Sequence, residues 1–144
     1  MIVIDTNVLS ALMRVRPDAP LVEWLDEQPE ESIWITSVTL FEAKLGLELL
    51  PRGKRRRALE DAFTRLIEQD LDNRVLTLDA GAAVEAASLA ARRQRAGKPV
   101  DMRDTLIAGI ATSHNAVFAT RNGRHFDDLT IPVVNPWDSQ SSLR

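Results

Sequence analysis

The chain opens Met1-Ile2-Val3-Ile4-Asp5-Thr6-Asn7-Val8-Leu9, and the reading of this stretch decides the fold. Three β-branched residues in a row, Ile2, Val3 and Ile4, mark a short strand buried on both faces, as strands of parallel sheets are. Asp5 follows without a spacer, so an acid stands at the strand's carboxyl end, where open α/β sheets bind their ligands. Thr6 and Asn7 suit the start of a helix carried by Val8, Leu9, Leu12 and Met13. A capping Asp in a strand-to-helix turn and an Asp in a reaction site both satisfy this triplet, and residues downstream must decide between them.

Strand and helix signals alternate along the rest of the chain. Arg16-Pro17-Asp18-Ala19-Pro20 is turn-rich and leads to a short amphipathic helix with Leu21, Val22, Trp24 and Leu25. Ser32-Ile33-Trp34-Ile35-Thr36 reads as a second strand, again followed by capping residues, Thr36 and Ser37. The next helix, from Val38 to Leu50, places Val38, Phe41, Leu45 and Leu49 on one apolar face. Glu42 lies beside that face, where a carboxylate must either reach solvent or find a partner. After the break at Pro51-Arg52-Gly53-Lys54, Arg55-Arg56-Arg57 opens a helix with Leu59, Ala62, Phe63, Leu66 and Ile67 on its face. That cluster is either a solvated face or a patch for phosphates. Arg74 to Leu78 is a weak strand, Asp79 caps an alanine-rich helix running to Arg95, and Gly97 ends it. Asp101 has the place of an N-cap and Asp104 follows in the first turn, heading an apolar face of Ile107, Ala108 and Ala111. Ala116 to Thr120 is a further strand, followed by Arg121-Asn122-Gly123, and Ile131-Pro132-Val133-Val134 is an edge-like last one. Ser139 to Arg144 forms a tail expected to fray.

The alternation predicts a single α/β domain over residues 1–138, with a central parallel sheet of about four to five short strands flanked by helices. The length of 144 residues suits one domain with one sizeable core. Eighteen Lys and Arg against 21 Asp and Glu give a net charge of −3, which argues against nonspecific adhesion to nucleic acid as the main activity. Cysteine is absent, so neither a disulfide framework nor a thiolate zinc site is available. No apolar run nears the roughly 20 residues of a membrane span, and the expected setting is the cytoplasm, with no membrane partner.

In a parallel sheet the carboxyl ends of the strands lie along one edge. Asp5, Thr36 with Glu42 beyond it, and Asn122 after Thr120 all fall at or just past such ends, while Asp104 opens a helix. Carboxylates meeting there repel one another and stay partly protonated unless a cation neutralises them. Oxygen donors without Cys or paired His select a hard ion, Mg²⁺ or Mn²⁺. A site of that kind suits phosphodiester hydrolysis, with the ion activating water and neutralising charge on phosphorus.

These segments in this order, Ile2-Val3-Ile4-Asp5-Thr6-Asn7-Val8-Leu9, Thr36-Ser37 with Glu42, Arg103-Asp104 with Ile107-Ala108, and Ala119-Thr120-Arg121-Asn122, resemble a PIN domain. More narrowly, the chain resembles the VapC toxins of bacterial type II toxin–antitoxin pairs, including their FitB-like branch, through Val134-Asn135-Pro136-Trp137. The resemblance implies a Mg²⁺-dependent endoribonuclease, a homodimer, and a small antitoxin whose basic arm enters the active site and through which alone operator DNA is bound. It assigns Asp5, Glu42 and Asp104 as the principal acids, with Asp5 and Asp104 as direct metal ligands and Glu42 completing the cluster. Thr6, Asn7 and Thr120 match polar positions that orient acids or water. The family places a fourth acid directly after the Thr-Arg pair or three residues later, where this chain has Asn122 and His125. Asn122 can ligate through its amide oxygen but brings no charge, so a second ion would bind more weakly than the first.

Two other readings share the strand-end acid. Phosphatases of the haloacid-dehalogenase kind need a second acid two residues on, where Asn7 stands, and receiver-like domains need an acidic pair before the strand-end Asp. The other is a noncatalytic module of the same fold, with Asn122 marking a degraded site. Retention of Asp5, Glu42 and Asp104 at polar strand ends argues for catalysis. Arg92, Arg93, Arg95 and Lys98, with Arg55 to Arg57, are the cations available to guide a phosphate backbone.

Overall fold

A computed structural model describes residues 1–99 and 101–138, so the tail expected to fray over 139–144 lies outside the described residues. Five strands form one parallel sheet: β1 (Ile2–Ile4), β2 (Ile33–Thr36), β3 (Val75–Leu76), β4 (Val117–Ala119) and β5 (Val133–Val134), in the order β3-β2-β1-β4-β5. Six helices connect them: α1 (Thr6–Leu12), α2 (Ala19–Asp26), α3 (Ser37–Leu49), α4 (Lys54–Arg65), α5 (Ala80–Arg95) and α6 (Met102–Ser113). The α/β class, the parallel sheet and its five short strands are as the alternation predicts.

The β-branched run at the start lies at the centre of the sheet. Ile2, Val3 and Ile4 are all buried, and their alternation sends them to opposite sides. Ile2 and Ile4 join Ile33, Ile35, Leu9, Leu21, Trp24 and Leu47 in a core beneath α1, α2, α3 and the segment after α4. Val3 joins Phe118, Leu89, Ile107 and Ile110 in a second core beneath α5 and α6. Burying each such side chain contributes about 1.5–3 kcal/mol, so the two cores together fix the three-layer stack. Helices α5 and α6 approach very closely, because the alanine-rich face of α5 meets Gly109, at which a Cβ would stand 2.6 Å from Ala86 Cβ. Gly97 ends α5 at φ +68°, a left-handed position that glycine adopts without penalty.

Helix α3 departs from expectation. Of the stripe Val38, Phe41, Leu45 and Leu49, Val38 packs against the second core, but the stripe does not face the core as a whole: Phe41 is 57% exposed and Leu49 75%. The core instead takes Thr39, Leu40, Ala43, Leu47 and Leu50. Both stripes have helical spacing, and the one chosen is that which brings Thr39 against Thr6 of α1.

The strand order reverses direction beside β1. The chain builds β2 and β3 to one side, then crosses to place β4 and β5 on the other. The crevice at the carboxyl ends of β1 and β4 is therefore the switch point at which such sheets bind ligands, and Asp5 and Thr120 are the residues that follow those two strands.

Candidate active site

Asp5 is buried and caps α1. Its Oδ1 accepts the Val8 N–H at 2.9 Å, and the Asn7 N–H and the Thr120 hydroxyl also hydrogen-bond to it. The capping and the site readings of Asp5 are thus compatible: one carboxylate oxygen fixes the helix, and the carboxylate as a whole lies at the switch point. Its own N–H donates to the Ala119 carbonyl at 3.1 Å, tying β1 to the end of β4. Burial pushes the Asp5 carboxyl above its usual range, the three hydrogen bonds pull it back, and the nearby Glu42 charge pushes it up again.

Glu42 comes to the same place from α3. Thr36 caps that helix by accepting the Thr39 N–H at 3.1 Å, which sets where its second turn begins. The Thr6 hydroxyl donates to Glu42 Oε1 at 2.8 Å and lies 3.0 Å from the Thr39 hydroxyl. A hydroxyl carries one proton, so with Thr6 donating to Glu42 it is Thr39 that donates to Thr6. The other Glu42 oxygen, Oε2, lies 3.6 Å from Arg103 Nη1, and the Arg103 guanidinium also sits 5.7 Å over the Phe41 ring. Glu42 therefore has partners on both sides and is not a solvent-reaching boundary residue.

Asp104 enters from the first turn of α6, where Asp101 Oδ1 accepts its backbone N–H at 3.0 Å. Asp101 is thus the cap that its position predicts. Partial burial raises the Asp104 carboxyl above its ordinary value, and the charges of Asp101, Asp5 and Glu42 raise it further. Mutual repulsion among Asp5, Glu42 and Asp104 shows that the three acids share one electrostatic neighbourhood. Even so, among the described residues no three acids or histidines are disposed as a ready-made metal cage. The donor chemistry still fits a hard cation, since the acids at this edge of the sheet offer carboxylate oxygens.

The polar residues around these acids divide. Thr120 is fully buried, hydrogen-bonds to Asp5 and accepts the Asn122 N–H at 3.1 Å through Oγ1. Asn7 and Asn122 are exposed at the rim. His125 is also exposed, on the helical turn Gly123–Phe126, with its N–H bonded to the Asn122 carbonyl at 3.0 Å.

Several contacting residues are not evident from sequence. Arg93 is 6% exposed and its guanidinium holds Asp128, the His125 carbonyl and the Thr105 hydroxyl, while stacking 5.6 Å from the Phe126 ring. It is consequently unable to guide a phosphate backbone, contrary to its reading within the basic run. Arg56 is likewise engaged, with Glu48 and Glu60, so only Arg55 and Arg57 of that cluster are without ion pairs among the described residues.

The PIN domain family model matches residues 2–131. The chain is 34% identical over 138 residues to VapC ribonuclease Y4jK of Sinorhizobium fredii, covering 96% of this chain and 99% of that protein. It is 32% identical over 137 residues to Toxin FitB of Neisseria gonorrhoeae, covering 95% and 99%. A solved structure of FitAB bound to an IR36 DNA fragment superposes with a TM-score of 0.86 at 32% identity, covering 96% of each chain. The order of strands, the acids at the switch point and these full-length likenesses agree: the chain belongs to the PIN domain family, among the VapC and FitB toxins.

Proposed function

We propose that this protein is a Mg²⁺-dependent endoribonuclease, acting as the toxin of a type II toxin–antitoxin pair and hydrolysing RNA phosphodiester bonds. The observation that carries the reading is Asp5 at the switch point with Glu42 bonded to the adjacent Thr6; burial and neighbouring acid charges, which push the Asp5 and Asp104 carboxyls above their usual range, support it. Such an arrangement is unfavourable for an empty fold and favourable once a cation arrives. Asp5 and Asp104 are the residues that would hold it, with Mn²⁺ able to replace Mg²⁺, and Asn122 brings an uncharged oxygen at the rim. Bound there, the ion supplies charge neutralisation and activation of water.

The remaining work belongs to the chain. Asp5 is held in place by two backbone N–H groups and Thr120, so its carboxylate is positioned before a ligand arrives. Glu42, steadied by the Thr6 hydroxyl, is placed to orient the attacking water and accept its proton. Arg103, exposed and paired only loosely with Glu42, can turn to a phosphate oxygen as substrate enters.

The relatives also support a partner. One relative is named Toxin FitB and the solved FitAB structure is bound to a DNA fragment, and we infer a small antitoxin here, with a basic arm that meets the carboxylates, a toxin homodimer, and DNA contact only through the antitoxin. Among the described residues no helix is long and apolar enough to cross a membrane, in keeping with action on RNA in the cytoplasm.

The test is cleavage of structured and unstructured RNAs, with a matched DNA control, by wild type and Asp5→Asn, in Mg²⁺, Mn²⁺ or chelator. Metal-dependent RNA cuts that vanish in the variant are the expected result. Equal activity of the two proteins, or RNA binding with no cleavage by either, would overturn it and favour the noncatalytic module.

A further inference from the structure

A cavity of about 280 Å³ lies beside Asp104, between the end of α5, the start of α6 and the helical turn after β4. We propose that this cavity is a subsite for one ribonucleotide, next to the phosphate that is cut, with Lys98 and Arg124 taking its phosphate and Asp127 accepting from its sugar or base. The proposal rests on the nuclease reading for its position along the strand, but not for its chemistry.

Position is the first argument. Asp104, one of the three acids assigned to the cluster, lines the cavity, so the cavity reaches the cluster at that residue. A strand with one phosphate at those acids would carry a neighbouring nucleotide into it. The hollow on the other side of the cluster, where Thr6 and Glu42 sit, also has two arginines at its wall, Arg14 and Arg55, but the rest of its lining is mainly apolar, with Met13, Leu47 and Leu59.

The lining chemistry is the second. Lys98 and Arg124 are exposed, and neither forms an ion pair among the described residues. Exposed cations outside any ion pair, at the wall of a cavity, are suited to phosphate. The wall also carries carboxylates: Asp128 is met by Arg93, Asp101 caps α6 and Asp104 belongs to the acid cluster, which leaves Asp127, a group that a bare phosphate would avoid but a ribose 2′-hydroxyl or a base amino group would satisfy. Beside it the exposed His125 offers a ring on which an unstacked base can lie. Cations and an acceptor in one cavity match a nucleotide better than a simple anion.

Rigidity is the third. Arg93, with its charge already met by Asp128, holds the His125 carbonyl at 2.8 Å and the Thr105 hydroxyl at 3.1 Å. One buried guanidinium therefore keys the wall bearing Arg124 and His125 to the helix bearing Asp104. A cavity fixed in this way is formed before its ligand arrives, which limits the ordering cost of binding.

The experiment uses the full chain and a Lys98→Ala/Arg124→Ala double variant, both side chains being exposed and outside any ion pair among the described residues, although the Lys98 charge also acts on Asp128. Uridine 3′,5′-bisphosphate and its deoxy counterpart are titrated into ¹⁵N-labelled protein in chelator, and amide shifts are mapped. Saturable shifts clustered at residues 98–105 and 122–128, weaker for the deoxy probe and lost in the double variant, are expected. In RNA cleavage the double variant should raise KM about tenfold with kcat little changed, and should reduce the slope of log affinity against log salt by about 0.7 for each lost phosphate contact. No shifts at those amides, or shifts that survive in the double variant, overturn the subsite even if wild type cleaves RNA. Shifts that behave as expected in a protein that cuts nothing uphold the nucleotide site and sink the nuclease reading instead.

Discussion

The guanidinium of Arg93 forks onto both carboxylate oxygens of Asp128, with Nε 2.8 Å from Oδ2 and Nη2 3.0 Å from Oδ1. The Arg93 side chain is 7% exposed and that of Asp128 24%, so among the ion pairs of the described residues this is the one in which an argument from burial applies. Removing one partner of a buried pair leaves the other charge uncompensated, at about 3–5 kcal/mol. Arg93→Met should fall near the lower bound, about 3 kcal/mol, because Asp128 can still turn to water. Arg93→Lys should rescue little of it, since an ammonium cannot serve Asp128, His125 and Thr105 from one plane. Urea unfolding of the three proteins measures both, and a loss under about 1 kcal/mol for Arg93→Met would deny the pair its structural role.

Asp128 also carries a pH signature. The Arg93 hydrogen bonds hold its carboxyl below the ordinary value, against a smaller opposing effect of burial. A carboxyl depressed in the fold stabilises it above the unfolded value of about 3.9, and that contribution is lost as pH falls through the folded value. The stability difference between wild type and Asp128→Asn should thus be constant from neutrality to about pH 4 and narrow below it. Urea midpoints measured between pH 7 and pH 3 report it, and a gap of unchanged size at pH 3 would contradict the assignment.

Asp5 and Asp104 predict the opposite sign. Both carboxyls are raised, each chiefly by burial. Their contribution to stability is therefore full below the unfolded value and is lost as pH rises through the folded one. Near pH 7 in chelator, Asp104→Asn should melt higher than wild type, by roughly 4 °C for each kcal/mol of repulsion relieved, with no gain near pH 3. Added Mg²⁺ should raise the melting temperature of wild type and leave Asp5→Asn nearly unmoved. Thermal melts with and without the ion decide it; equal Mg²⁺ shifts in both proteins would separate Asp5 from metal binding.

Much of this arrangement was legible from residue type and place. Ile2-Val3-Ile4 can hardly be other than a two-sided buried strand, and an acid immediately after it lands at the carboxyl edge whatever the details of packing. Asp101 and Asp79 were readable as caps because capping is local, and both accept the N–H three residues on. The face of α3 was not readable. Val38-Phe41-Leu45-Leu49 and Thr39-Leu40-Ala43-Leu47 each satisfy helical spacing, and the choice between them is made by α1, more than 30 positions earlier. Arg93 was hidden for a similar reason: nothing within Arg92-Arg93-Gln94-Arg95 says which arginine turns inward, and its partner Asp128 lies 35 residues away. Glu42 could be nominated from its place beside an apolar stripe, but its bond from Thr6 and its pairing with Arg103 are tertiary facts.

That pairing with Arg103 is open to direct measurement. The Arg103 side chain is 53% exposed and stands 3.6 Å from Glu42, and an ion pair so hydrated contributes about 0–1 kcal/mol. Arg103→Ala should leave the urea midpoint almost unchanged. Freed of a competing cation, the carboxylate cluster should bind Mn²⁺ more tightly, by up to about fivefold for a change of that size. Calorimetric titration of Mn²⁺ in both proteins checks this, and weaker binding in the variant would mean that Arg103 organises Glu42 instead of competing for it.

The contact between α5 and α6 supplies the most severe packing prediction, because it depends on a single missing methyl. A Cβ on Gly109 would lie 2.6 Å from Ala86 Cβ, 2.8 Å from Ala86 Cα and 2.8 Å from its backbone nitrogen. Two of those three atoms are backbone, so no side-chain rotation relieves the clash; the helices must move apart. In an exposed helix, glycine to alanine gains up to about 1 kcal/mol from propensity, whereas overpacking a buried contact costs typically 1–3 kcal/mol. Burial decides the sign here, since Gly109 is among the buried residues of α6. Gly109→Ala should therefore destabilise by about 1–2 kcal/mol, and Ala86→Gly in the same chain should recover part of the loss by removing the facing methyl. The movement should also reach the site, because α6 carries Asp104 five residues before Gly109, more than one turn away on the same rigid helix. A variant as stable as wild type in urea would show that the two helices are not held at the separation described.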